Sequence, residues 1–96
     1  MKYISFQWEN RKNISNQKKH GISFEEAKTV FYDDNARLIH DPEHSDIEDR
    51  FIILGFSSTL RILAVVHTYR EQDEIIRLIS ARRATKNESK YYLKGD

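Results

Sequence analysis

The spacing of apolar residues changes several times along the chain, and each change marks an element. Tyr3-Ile4-Ser5-Phe6-Gln7-Trp8 alternates imperfectly and predicts a first strand. From Glu9 to His20 the chain is polar, with Ile14 its only aliphatic residue, so a helix there lies mostly exposed. Lys18-Lys19-His20 followed by Gly21 is a stop signal, because cations suit the negative end of the helix dipole and glycine accepts a left-handed cap. Ser23 with Glu26 three residues later forms a capping box, and Phe24, Ala27, Val30 and Phe31 fall on one face of a second helix.

Four apolar segments of strand length follow Asp33-Asp34-Asn35, at residues 36–40, 51–56, 60–68 and 74–81. Gly55-Phe56-Ser57-Ser58-Thr59 reads as a hairpin connection, and residues 70–73 as a polar loop. Residues 41–49 are acidic and irregular, and Pro42 marks them as a loop. Thr85 with Glu88 is a second capping box, opening a last helix that carries Tyr91, Tyr92 and Leu93. Strand, helix, helix, four-stranded antiparallel meander, helix is an α+β order with helices grouped on a sheet. A single domain spanning residues 1–96 is expected, since a chain of this length buries roughly 60–70% of its unfolded surface in one core.

Strict alternation assigns faces. Arg50, Ile52, Leu54 and Phe56 share one face of their strand. Arg61, Leu63, Val65 and His67 oppose Ile62, Ala64 and Val66, and Ile75, Arg77, Ile79 and Ala81 oppose Ile76, Leu78, Ser80 and Arg82. Both faces are largely apolar, so both are expected to be covered, with His67 and Arg77 emerging near strand ends.

Charge sharpens this picture. The net charge of +1 conceals three blocks: residues 1–20 carry five basic and one acidic side chain, residues 21–76 five and twelve, and residues 77–96 six and two. Two basic ends on an acidic middle fold either into one positive face or into separate solvated helix faces. With no cysteine, thiolate catalysis, disulfides and Cys–zinc sites are excluded. No apolar run approaches the ~20 residues of a membrane span, and the absence of cysteine fits an expected reducing, cytoplasmic location.

The chemistry concentrates at a few positions. Arg77 interrupts an apolar strand, and a buried guanidinium is costly unless an anion meets it. The anion is either a phosphate or an internal carboxylate such as Glu48, Asp49 or one from a helix. His67 ends an apolar strand and is either a proton-transfer group near neutral pH or a structural histidine bonded to a backbone carbonyl. Arg82 and Arg83 precede a helix N-terminus, where guanidiniums and backbone N–H groups together suit an oxyanion. Lys18, Lys19 and His20 form a second basic cluster, and Trp8, Tyr69, Tyr91 and Tyr92 are aromatic surfaces for base stacking or core packing. His40-x-x-x-His44, with Asp41 and Asp46, has metal-ligand spacing but falls in the Pro42 loop, so neither metal nor other cofactor is expected. A set of Arg, Lys, His and carboxylates suits metal-free phosphodiester cleavage, in which a base deprotonates the ribose 2′-OH and cations hold the phosphorane.

Phe6-x-Trp8-Glu9, Lys19-His20-Gly21-Ile22-Ser23-Phe24-Glu25-Glu26-Ala27, Glu48-Asp49-Arg50-Phe51, Gly55-x-Ser57, Val65-Val66-His67-Thr68 and Ile76-Arg77-x-Ile79-Ser80-Ala81-Arg82-x-Ala84-Thr85-Lys86-x-Glu88 stand in order along nearly the whole chain. This set resembles the BrnT family of toxins from bacterial type II toxin–antitoxin modules. It departs from the family in lacking a proline after the first strand, at Glu9-Asn10-Arg11-Lys12-Asn13. The resemblance implies a RelE-like α+β fold and an endoribonuclease that inhibits translation. It also implies a BrnA-like, ribbon-helix-helix antitoxin, operator DNA binding by the complex, and a toxin dimer within it. On that basis His67 transfers protons, Arg77 and Arg82 carry phosphate and transition-state charge, and Glu48 is the candidate base oriented by Arg50. Lys19, His20, Trp8, Arg83 and Lys86 contact the RNA. The rival readings are a non-catalytic nucleic-acid-binding module and an antitoxin-binding scaffold.

Overall fold

The computed structural model describes residues 4–41 and 48–94. Strand β1 (Ser5–Gln7) leads into helix α1 (Asn10–His20), short helix α2 (Phe24–Ala27) and a 3-10 turn (Lys28–Tyr32). Strands β2 (Arg37–Asp41), β3 (Arg50–Phe56), β4 (Ile62–Arg70) and β5 (Ile75–Arg83) precede helix α3 (Lys86–Lys94). The expected α+β order is therefore present. The sheet runs β1-β5-β4-β3-β2, an antiparallel meander to which β1 adds in parallel beside β5.

Two apolar clusters define the sheet's faces. Ile22, Phe24, Ala27 and Val30 from the helical segment pack on Ile53, Leu63, Val65, Ile76, Leu78 and Ala81. On the opposite, open face α3 seats Tyr92 against Leu54 and Ala64, and Arg37 of β2 lies over the Tyr91 ring. Asn16 ties α1 to β5 through two bonds: its Nδ2 donates to the Ala81 carbonyl at 2.8 Å, and its Oδ1 accepts from the Ala81 N–H at 3.1 Å.

The capping boxes differ. At α3 both halves form, with Glu88 N–H on Thr85 Oγ1 and Thr85 N–H on Glu88 Oε1. At α2 Ser23 Oγ accepts from the Glu26 N–H, but the Glu26 carboxylate turns away to Ser57, Thr59 and Arg61. Gly21 takes the predicted left-handed cap at φ 71°. Gly55 serves a close approach instead: a Cβ there would lie 2.8 Å from Val30 Cγ1. Gly55→Ala is expected to lower stability by about 1–3 kcal/mol through overpacking. Chemical denaturation of the single variant and of its combination with Val30→Ala checks this; the second change relieves the first if the clash is the cause.

One irregularity reorganises the site. Val66 pairs with Ser80 but His67 pairs with Leu78, so β5 carries one extra residue, Ile79, in a β-bulge. The bulge moves Ala81 onto the helix-covered face beside Leu78, and Arg82 onto the open face with Ala64. Strict alternation had put Arg77 and Arg82 on opposite faces. The bulge places them on the same one.

Candidate active site

Register alone assembles a row of polar side chains across the open face. Asp41 of β2 pairs with Arg50 of β3, and Thr68 of β4 pairs with Arg77 of β5, which pairs with Gln7 of β1. Since Phe51 pairs with His67, the next position sets Arg50 opposite Thr68. Strands lie about 4.8 Å apart, so Arg50 and Arg77 flank Thr68 at a backbone separation of about 10 Å, within joint reach of one phosphate. Arg82 lies farther along β5 on the same face.

Arg77 meets its neighbours at the sheet edge. Its Nη1 donates to Gln7 Oε1 at 2.8 Å and its Nη2 to Glu9 Oε1 at 3.3 Å. The carboxylate is thus Glu9, supplied by the turn into α1, and not Glu48 or Asp49. Arg82 is held more firmly, its Nη1 and Nη2 donating to the two oxygens of Glu88 at 2.7 and 3.0 Å. The guanidinium holds the Glu88 carboxyl below the usual carboxylate range, and Glu88 raises the Arg82 pKa in turn. Glu48 is ion-paired with Arg70 at 3.2 Å. It lines a groove of about 480 Å³ whose other walls include Phe51, Thr68, Tyr69 and Asp73.

His67 does not belong to this site. It is fully buried on the helix-covered face, its ring 4.8 Å from Phe31. Its Nδ1 lies 3.0 Å from the Val65 carbonyl and its Nε2 3.1 Å from the Tyr69 hydroxyl. A carbonyl only accepts, so Nδ1 carries the proton and Nε2 accepts from Tyr69. Burial depresses the His67 pKa against the opposing pull of that carbonyl. The proton-transfer role expected from the strand-end position gives way to the structural alternative, because Phe31 of the 3-10 turn and strand neighbour Phe51 close over the ring.

His67→Gln is accordingly expected to cost about 1–3 kcal/mol of stability. It should leave the cleavage rate of the folded protein within about twofold, whereas a proton-transfer residue typically contributes 10²–10⁴-fold. The same burial makes the wild type lose stability as pH falls below about 6.5, where the unfolded chain takes up the proton that the native core resists. Thermal melts from pH 8 to 5 on both proteins check this; the variant lacks that part of the slope.

The remaining basic positions lie at one end of the sheet. Glu9 meets Arg77 and Asn16 meets Ala81, so α1 runs in the direction of β5 and both finish at the same end. Lys19, Arg83 and Lys86 are exposed there, with His20 half-buried. Trp8 packs edge-on against Phe24 at 5.9 Å and is part of the core rim. His44 and Asp46 lie outside the described residues, while His40 faces Asp49 at 3.4 Å. Among the described residues no group of three or more His, Asp or Glu converges as a metal site. No described helix is long and apolar enough to cross a membrane.

Comparison with known proteins gives this geometry a context. The crystal structure of the Brucella abortus ribonuclease toxin BrnT is similar over 88% of this chain and 100% of that one, at 24% identity and a TM-score of 0.64, a likeness of fold. No curated protein matches the sequence. The family described as the ribonuclease toxin, BrnT, of type II toxin–antitoxin systems matches residues 8–88. The chain belongs to the BrnT family.

Membership brings an RNA target and a protein antitoxin, and the fold shows what the BrnT motif blocks do. Ile22, Phe24 and Ala27 are core, and Gly21 and Ser23 are caps. Glu26 accepts from Ser57 Oγ at 2.6 Å, Thr59 Oγ1 at 2.6 Å, and Arg61 Nε and Nη2 at 2.8 Å and, to its other oxygen, 2.6 Å. Much of the family pattern therefore serves the fold. Sequence reasoning missed Gln7, Glu9 and Arg70 as partners, since nothing local links them to Arg77 or Glu48. Glu88 was visible as a helix cap, but its bond to Arg82 depends on the bulge.

Proposed function

We propose that this BrnT-family chain cleaves RNA on the open face of its sheet, without a metal ion. The observation that carries the reading is the gathering of Arg50, Arg77 and Arg82 on one face by strand register and a bulge. Three guanidiniums supply the positive charge that a developing phosphorane needs, in fixed forks suited to phosphate oxygens. Glu48 takes the proton of the ribose 2′-OH. The 2′-oxygen then bonds to phosphorus as the bond to the 5′-oxygen breaks, and that oxygen takes a proton from water. The products are a 2′,3′-cyclic phosphate and a 5′-hydroxyl. Lys19, His20, Arg83 and Lys86 guide the backbone toward the site from one end of the sheet.

On this reading the toxin inhibits translation by destroying RNA. A BrnA-like ribbon-helix-helix antitoxin neutralises it, and the complex binds operator DNA. The test is purified protein incubated with RNA, or with DNA of the same sequence, in excess EDTA. Cleavage of RNA alone, leaving cyclic-phosphate ends, is expected. Retention of RNA without cleavage would favour the binding-module alternative, and cleavage restored only by added divalent metal would overturn the metal-free mechanism.

A further inference from the structure

Glu88 sits where the last helix meets the open face, and its carboxylate is shared. One oxygen caps the Thr85 N–H at 2.8 Å while both oxygens grip Arg82. We infer that Glu88 is the positioning residue of the cleavage site, fixing the Arg82 guanidinium so that its free edge faces the RNA phosphate. This rests on the proposed use of Arg82.

The geometry of the fork supports the assignment. A guanidinium has five N–H groups: a terminal edge formed by Nη1 and Nη2, and a side edge formed by Nε and one Nη. Glu88 occupies the terminal edge. Nη1 also reaches the Arg83 carbonyl at 3.4 Å, and among the described residues nothing bonds Nε. The side edge is thus left for a second bidentate anion, and Arg82 remains 34% exposed to receive it. A carboxylate behind the guanidinium restrains a long, rotamer-rich side chain before substrate arrives. Glu88 is itself restrained, because the helix it caps seats Tyr92 on Leu54 and Ala64. Rigid packing of α3 is in this way transmitted to one cation of the site.

The cap and the clamp are separable. Thr85→Ala removes the Glu88 N–H partner and keeps the carboxylate on Arg82. Glu88→Ala removes both, and Glu88→Gln keeps the cap and one acceptor for Arg82. Cleavage kinetics on a single RNA substrate, normalised to folded protein by thermal melt, should show Glu88→Ala lowering kcat about tenfold with little change in KM, since the loss is one of orientation. Glu88→Gln should recover part of that loss, and Thr85→Ala should keep the wild-type kcat. In an Arg82→Ala background Glu88→Ala should add no further loss. Should Glu88→Ala not fold, the cycle is run with Glu88→Gln, for which a smaller loss, again absent without Arg82, is expected. An equal loss with and without Arg82, an equal loss in Thr85→Ala, or no loss in any Glu88 variant overturns the inference. If Arg82→Ala itself cleaves at the wild-type rate, it is the proposed use of Arg82 that fails.

Discussion

Alanine at Arg77 lowers kcat/KM for RNA by about 10²–10³-fold, the usual effect of removing one donor that stabilises a developing oxyanion. Folding is much less affected. The Glu9 pair is partly exposed, with side chains 22% and 49% accessible, and such pairs contribute about 0–1 kcal/mol. Arg77→Lys restores the charge but not the fork that spans Gln7 and Glu9, so it recovers only part of the rate. Steady-state cleavage assays with thermal melts on the three proteins separate the two effects. Wild-type cleavage by Arg77→Ala would remove Arg77 from the site, and a collapsed melt would make its role structural.

Glu26→Ala has the largest expected effect on stability, about 3 kcal/mol, because it strands a guanidinium and two hydroxyls that converge on one carboxylate. In a chain of this size that corresponds to a fall in Tm of more than about 10 °C. Glu26 is 11% exposed, and the Arg61 hydrogen bonds, ahead of those from Ser57 and Thr59, outweigh burial and bring its pKa down to about 2. A carboxylate depressed in the native state stabilises it above the unfolded pKa of about 4.5 and loses that contribution as pH falls toward 2. The stability gap between wild type and Glu26→Gln is therefore full at pH 6 and narrows between about 4.5 and 2. Urea denaturation at pH 6 and pH 3 measures it.

How much was readable in advance depended on the range of the interaction. Gly21, the Ser23 and Thr85 caps and the apolar stripe of Phe24, Ala27 and Val30 are local and were legible. So was the β2–β5 meander, because turn residues separate its strands. Parity failed at Ile79: a bulge follows from pairing between strands, and no residue in Ile76-Arg77-Leu78-Ile79-Ser80 announces it. That one residue decides that Arg82 joins Arg77. His67 misled for a related reason, since a strand end is exposed only if nothing packs over it, and Phe31 does. Glu9 and Glu88, from opposite ends of the chain, became partners of Arg77 and Arg82 through tertiary contact alone.

The central claim is that RNA lies across the arginine-bearing face of the sheet. Backbone amide shifts of isotope-labelled protein, titrated with an uncleavable 2′-O-methyl oligonucleotide, test it most directly. Large shifts are predicted at Gln7, Arg50, Thr68, Arg77, Ser80 and Arg82, fading as salt is raised because phosphate contacts release counterions. Shifts confined to α1, α2 and the covered strand positions, with the arginine row unmoved, would contradict it.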